Sequence, residues 1–289
     1  MTWVAWRQQR AQILLSFALV ALLAALVIAL RIDASSIPAD DLAQLSDRYN
    51  GILGYLAMFL LLVPVLLGMF AGAPVFAREI EQGTHIFGLT QSIGRTRWWA
   101  TKLVVAGLPV TVAMTVLGLV NAWALAPLNF MMSGRMRTPL FESQGLVLGA
   151  YTVAAFAIGA TAGLLVRNTL AAMAITLGGY AAALVVLSNA ARPAYADPLL
   201  TTGPAPYGAW RVGGEYLDAQ GNAVAFSPNR CDGESFRDCM TQNGVFGQST
   251  LYQPDERFWN FQAIEGGLFL VIAAAVLALG AWALRHRLH

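Results

Sequence analysis

Uncharged apolar stretches of about 20 residues recur six times along the chain, the length a helix needs to cross ~30 Å of hydrocarbon. They are Gln12–Leu30, Ile52–Phe76, Leu103–Ala126, Gly145–Val166, Thr169–Ser188 and Gly266–Leu284. Lipid offers the backbone no hydrogen-bond partners, so each stretch is expected to be helical, and Pro64, Pro74 and Pro109 predict kinks or helix ends. The basic N-terminus ahead of Ile13–Leu30 has the outline of a signal peptide. The apolar run is longer than the usual ~7–15 residues and no A-x-A pattern follows, so it reads as a retained first span.

Basic residues set the expected orientation. With the N-terminus inside, the inner segments hold Arg7, Arg10, Arg78, Arg95, Arg97, Lys102, Arg167, Arg285 and Arg287 against only Glu79 and Glu81. Short loops dense in Lys and Arg stay in the cytoplasm, so both termini are expected there. Small residues recur at four-residue spacing: Gly68 and Gly72 in the second span, Ala155, Gly159 and Gly163 in the fourth, Ala174, Gly178 and Ala182 in the fifth. Such stripes let helix backbones approach closely. Packing within the chain is the simpler reading for the fourth and fifth spans, which a two- or three-residue loop joins into a hairpin.

Two longer polar intervals remain, 77–101 inside and 189–262 outside. In the outer one, two partly alternating runs within Tyr207–Phe226 flank the turn-rich Asp218–Asn222 and predict a β-hairpin. About 70 residues is too few for a large core, so this interval is a cap on the membrane domain. Tyr252, Phe258, Trp259 and Phe261 place rings ahead of the sixth span, as an interfacial belt would. Cys231 and Cys239 both fall in the outer interval, where an oxidising compartment allows a disulfide.

Composition agrees. Of the residues, 57% are hydrophobic and 12% charged, the latter about half the ~25% of a soluble domain. The net charge of +2 and the single lysine, Lys102, leave no polybasic run for nucleic acid. That lysine is not in a GxxxxGK[ST] phosphate loop, and GxSxG and HExxH are absent, so neither an ATPase nor a familiar hydrolase is encoded. The cysteines are not at metal-site spacing, and His286 and His289 lie in a basic tail. Ionisable groups at membrane depth look almost absent. The deepest polar candidates for a substrate path are Asn121 in the third span and Glu265 at the edge of the sixth, and Glu265 could equally snorkel or cap a helix start.

The inner interval is the most informative. Arg78, Glu79 and Glu81 end the second span, Gly83 and Thr84 allow a turn, and Ile86, Phe87 and Leu89 are the apolar residues of a short helix. Arg95, Arg97, Trp98, Trp99 and Lys102 mark re-entry. Such a helix suits docking in a groove of a soluble partner, or lying on the bilayer. The runs F-A-R-E-I-E-Q-G-T (Phe76–Thr84) and L-T-Q-S-I-G-R-T-R-W-W-A-T-K (Leu89–Lys102) resemble the segment after the second span in type 2 ATP-binding-cassette permeases. The run L-Y-Q-P-D-E-R-F-W-N-F-Q-A-I-E (Leu251–Glu265) is similar to an actinobacterial branch of that family.

The resemblance implies two permease copies clamped by two separate ATPase subunits, which bind the ATP and Mg. It also implies that Gly83–Gln91 is the coupling helix and that the Arg167–Thr169 loop is a second contact. The fold expected is an all-α polytopic membrane protein. It has spans 1–5 in residues 1–188 with a coupling segment at 77–101, an extracellular cap at 189–262, and the sixth span with a cytoplasmic tail at 263–289. The function expected is the permease subunit of an exporter in the bacterial plasma membrane, moving an amphiphilic or hydrophobic compound such as an antibiotic, drug or peptide. The permease pair is expected to be a homodimer whose axis runs along the second span, with Gly68 and Gly72, or along the fifth. A ligand sensor without transport and a membrane-embedded enzyme are the alternatives. The enzyme lacks a convergent set of reactive side chains.

Overall fold

A computed structural model of the chain describes residues 2–38, 41–83, 94–129, 134–227, 231 and 235–287. Six helices are long and apolar enough to cross a membrane: Gln9–Ala34, Ala43–Glu81, Arg95–Ala124, Val147–Val166, Thr169–Ala194 and Asp255–His286. The six predicted stretches lie almost wholly within them, and the observed helices run further at most ends.

The fourth span is the centre. Its apolar window is 89% buried, against 17% for the fifth, and it packs against the second, third, fifth and sixth spans while the first lies on the third. Its small-residue stripe makes this possible. A Cβ on Gly159 would stand 2.3 Å from the Gly68 carbonyl oxygen, and one on Gly163 2.3 Å from that of Ala73. Gly68 and Gly72 are thus taken up by contact with the fourth span.

The fifth span behaves differently from the packing reading of its stripe. Ala172, Thr176 and Tyr180 form its buried face, whereas Ala174, Gly178 and Ala182 are exposed on the other side, and a Cβ on Gly178 would meet nothing within 4 Å. Of the fourth and fifth spans, only the fourth uses its stripe within the chain.

The second span is interrupted where Pro74 falls. The helix Leu42–Leu67 passes into a π-turn at Gly68–Gly72 and restarts as Pro74–Glu81, with the Ala73 N–H donating to Gly68 five residues back. Proline has no N–H for the carbonyl of Phe70. Gln12 of the first span supplies the missing donor, its Nε2 lying 3.1 Å from that oxygen. Pro64 and Pro109, by contrast, sit inside continuous helices.

Between the fifth and sixth spans lies a four-stranded antiparallel sheet in the order β1 (Leu199–Thr202), β4 (Gly247–Gln253), β2 (Trp210–Leu217), β3 (Ala223–Val224). The predicted hairpin is β2–β3, closed by Asp218, whose carboxylate accepts the backbone N–H groups of Gln220 and Asn222 at 2.8 Å. Those bonds, that from Asn222 above all, hold the Asp218 carboxyl below the usual carboxylate range. The pairing of β4 with β1 and β2 was not expected from an otherwise all-α chain. At Gly214 (φ +146°) a Cβ would lie 2.3 Å from the Ser249 carbonyl, so the β2–β4 pairing requires glycine there.

Cys231 and Cys239 form the expected disulfide. Closing so short a loop should add about 2–3 kcal/mol to the stability of this region. Intact mass should rise by two hydrogens on reduction, and two thiols open to alkylation in native membranes would exclude the bond.

Candidate functional site

Two polar assemblies lie at opposite ends of the bundle. The first is at the end where the second span finishes and the third and fifth begin. Glu79, on the helix Pro74–Glu81, forms an ion pair with the buried Lys102 of the third span. The Lys102 ammonium also sits 5.0 Å above the Trp98 ring, which packs 5.2 Å from Phe76. Two turns of helix are thereby fixed to each other by charge and by aromatic contact. Lys102 is therefore no simple marker of re-entry; burial requires a partner, and Glu79 supplies it.

Glu81 reaches the fifth span. Its Oε1 accepts the Thr169 backbone N–H at 2.9 Å and its Oε2 the Thr169 hydroxyl at 2.6 Å. The first turn of a helix has unpaired N–H groups and a positive dipole end, which a carboxylate satisfies on both counts. Asn168 caps the same turn through Ala171 N, after Arg167 turns the chain in the left-handed region at φ 59°. Gly83, two residues after Glu81, adopts the left-handed region at φ +67°. Arg95, Arg97 and Arg167 are exposed around this end. Thr84, Ile86, Phe87 and Leu89 lie outside the described residues.

Alongside runs a cleft between the first and second spans. An apolar part of ≈ 300 Å³ is lined by Leu15, Leu19, Leu66, Leu67, Phe70 and Ala71 with Gln12 and Ser16. A second cavity of ≈ 390 Å³, of mixed lining, shares Gln12 with it and is walled by Gln9, Pro74, Val75, Arg78, Glu79 and Gln82. The π-turn and its Gln12 bond stand where the two parts meet; π-turns of this kind often mark functional positions.

The second assembly is at the sheet-bearing end. Arg192 closes the fifth span and is 1% exposed; Glu265 and Glu142 are fully buried beside it. Arg192 meets Glu265 in a bidentate pair, Nε to Oε2 at 2.7 Å and Nη2 to Oε1 at 2.6 Å. The hydroxyls of Tyr151 and Tyr195 also donate to Glu265, at 2.5 and 3.2 Å. Glu142 Oε1 accepts from Arg192 Nη2 at 2.6 Å and from the Thr138 hydroxyl at 2.7 Å. The guanidinium carbon lies 4.1 Å from the centre of the Phe141 ring. The assembly joins the 134–144 loop to the fourth, fifth and sixth spans.

This corrects two expectations. Glu265 is not a helix cap or a snorkelling group, because the helix begins at Phe258 and Glu265 is inside the protein with four donors. Nor is Glu265 a lone buried charge: Arg192 and Glu142 are buried with it inside the protein. Asn121 is also fully buried and donates to the Ser143 carbonyl at 2.7 Å. Neither Asn121 nor Glu265 lines the cleft between the first two spans. The signal for this assembly was faint: one arginine just past the fifth span, and one acid, Glu142, in the otherwise uncharged run Leu140–Gly145.

Among the described residues no group of three or more His, Cys, Asp or Glu could hold a metal ion. No match to the chain is found among curated proteins or among solved structures. Residues 11–192, which carry the first five spans and end on Arg192, match the family described as ABC-2 membrane transporter related, and with more than half of its 289 residues inside that match the chain belongs to this family of transporter membrane components.

Proposed function

We propose that the chain is the permease subunit of an ATP-driven exporter that moves an amphiphilic or hydrophobic compound across the bacterial plasma membrane, with ATP and Mg bound by a separate cassette ATPase. In this reading the termini and residues 77–101 are cytoplasmic, the sheet is extracellular, and two copies pair along the fifth span. Two ATPase subunits drive the pair. The observation that supports it most is the double anchorage of the segment after the second span. Glu79 ties it to the third span and Glu81 to the fifth, so a push on residues 83–94 is delivered to three spans together. The half-apolar, half-polar cleft beside it supports an amphiphilic cargo. The open stripe Ala174, Gly178 and Ala182 supports pairing along the fifth span, since Gly68 and Gly72 are already occupied by the fourth.

The test is assembly and transport with the cassette ATPase. Truncating an aromatic anchor at an interface costs about 2 kcal/mol, so Phe87→Ala should weaken ATPase binding on the order of 30-fold. Reversing Glu79 would set an arginine against the buried Lys102, so coupling is better probed at Glu81. Glu81→Ala should assemble with the ATPase and hydrolyse ATP while moving less substrate per ATP. If Phe87→Ala binds the ATPase like the parent and Glu81→Ala transports like it, the segment is an interfacial helix without a coupling role.

A further inference from the structure

The assembly at the sheet-bearing end does not balance its charge. Arg192 is matched by Glu265, whose two oxygens accept two guanidinium and two phenol donors. A carboxylate offers about four lone-pair sites, so Glu265 is saturated. Glu142 is the odd member. Its Oε1 shares the outer edge of the same guanidinium, while its Oε2 is buried with no hydrogen-bond partner among the described residues. Two carboxylates around one guanidinium leave a net charge of −1 in a fully buried place, and uncompensated buried charge is strongly destabilising.

Three further buried side-chain atoms lack a partner among the described residues. Asn121 Oδ1 and Gln144 Oε1 are buried acceptors without a donor, and the buried Tyr180 hydroxyl has no partner among the described residues. Glu142 is therefore short of positive charge, with one carboxylate oxygen left over. Among the described residues, the charged and titratable groups bonded in this assembly besides Glu142 are Arg192, Glu265, Tyr151 and Tyr195, and the Tyr180 ring lies 6.3 Å from that of Tyr151.

We infer that this assembly binds one further monovalent positive charge at Glu142 Oε2, either a proton or an alkali cation, in addition to any transport function of the chain. A charge of −1 calls for a single positive charge. A divalent ion would overshoot that charge. Seated there, the charge would bind together the 134–144 loop and the ends of the fifth and sixth spans, so its occupancy would set how firmly the sheet-bearing end is closed.

The experiment uses the full chain in lipid nanodiscs, with infrared difference spectra and thermal unfolding compared for the parent, Glu142→Gln and Tyr180→Phe. A bound proton gives a carboxylic-acid C=O band in the parent at neutral pH that Glu142→Gln removes and Tyr180→Phe displaces. A bound cation gives no such band. Instead the unfolding midpoint rises and saturates with Na⁺ or K⁺ at constant ionic strength set by N-methylglucamine. Glu142→Gln then abolishes that dependence, and Tyr180→Phe moves its midpoint to higher cation concentration. Neither a band nor a cation dependence in the parent would overturn the inference, as would either signal persisting in Glu142→Gln. Failure of Glu142→Gln to fold would also overturn it, because the amide keeps the acceptor for Arg192 and removes only the surplus charge.

Discussion

Arg192→Met should lower the stability of the folded chain by about 3–5 kcal/mol, the loss seen when one partner of a buried ion pair is removed and the other is left uncompensated. Here two buried carboxylates would be stranded, Glu265 with only tyrosine hydroxyls and Glu142 with only Thr138. Methionine fills similar volume and can lie on Phe141, so the loss would come from charge rather than from a cavity. Arg192→Lys should fall between the two. An ammonium keeps the charge but cannot reproduce the fork that holds both Glu265 oxygens at 2.6 and 2.7 Å. Denaturation in one detergent, followed by tryptophan fluorescence, measures all three chains. If Arg192→Met unfolds within about 1 kcal/mol of the parent, the assembly does not hold the sheet-bearing end together.

That assembly also marks where the sequence stopped being readable. The spans were legible because an uncharged run of sufficient length is a local property, and all six appear. Their ends were misjudged wherever a polar residue was taken for a border. The sixth span was expected from Gly266, yet its helix includes Gln262 and Glu265, both fully buried. Gln262 turns its two polar atoms to Val147 N and to the Phe141 carbonyl, and Glu265 meets Arg192. The fifth was expected to stop at Ser188, but a π-turn at Leu187–Ala191 carries it on to Arg192. The helices continue past charges that find partners, and these partners stand 50 and 73 residues away in the chain.

The sheet divides in the same way. The β2–β3 hairpin is held by a local turn at Asp218, which turn chemistry signals. Strand β4, GQSTLYQ, has little alternation, and its partners β1 and β2 lie far back in the chain. Its place comes from pairing with distant backbone, not from its own pattern. At the opposite end the charged residues Glu79, Glu81 and Lys102 were visible, but not that Glu79 answers Lys102 while Glu81 answers Thr169. Helix geometry fixes which residues share a face. Which neighbour that face meets depends on how the spans are arranged.

The glycines of the fourth and fifth spans should respond oppositely to the same change. Gly159→Ala puts a methyl 2.3 Å from the Gly68 carbonyl oxygen and 2.9 Å from Ala73 N, both backbone atoms. Those two atoms are the acceptor and donor of the π-turn bond, so the contact cannot relax by a side chain moving aside. The second and fourth spans must separate, at a cost of about 3 kcal/mol, the upper part of the usual range for overpacking. Gly178 faces open space, and Gly178→Ala should leave the stability of the single chain within about 0.5 kcal/mol of the parent. If the stripe Ala174, Gly178 and Ala182 is the seam between two copies, the bulkier Gly178→Leu should still fold but fail to pair, because close backbone approach is what such a stripe provides. Unfolding curves for both alanine variants, with mass photometry of parent and Gly178→Leu in nanodiscs, read both effects. A Gly159→Ala chain as stable as the parent would remove the close contact from the core of this fold. A Gly178→Leu chain that pairs normally would move the seam off the fifth span.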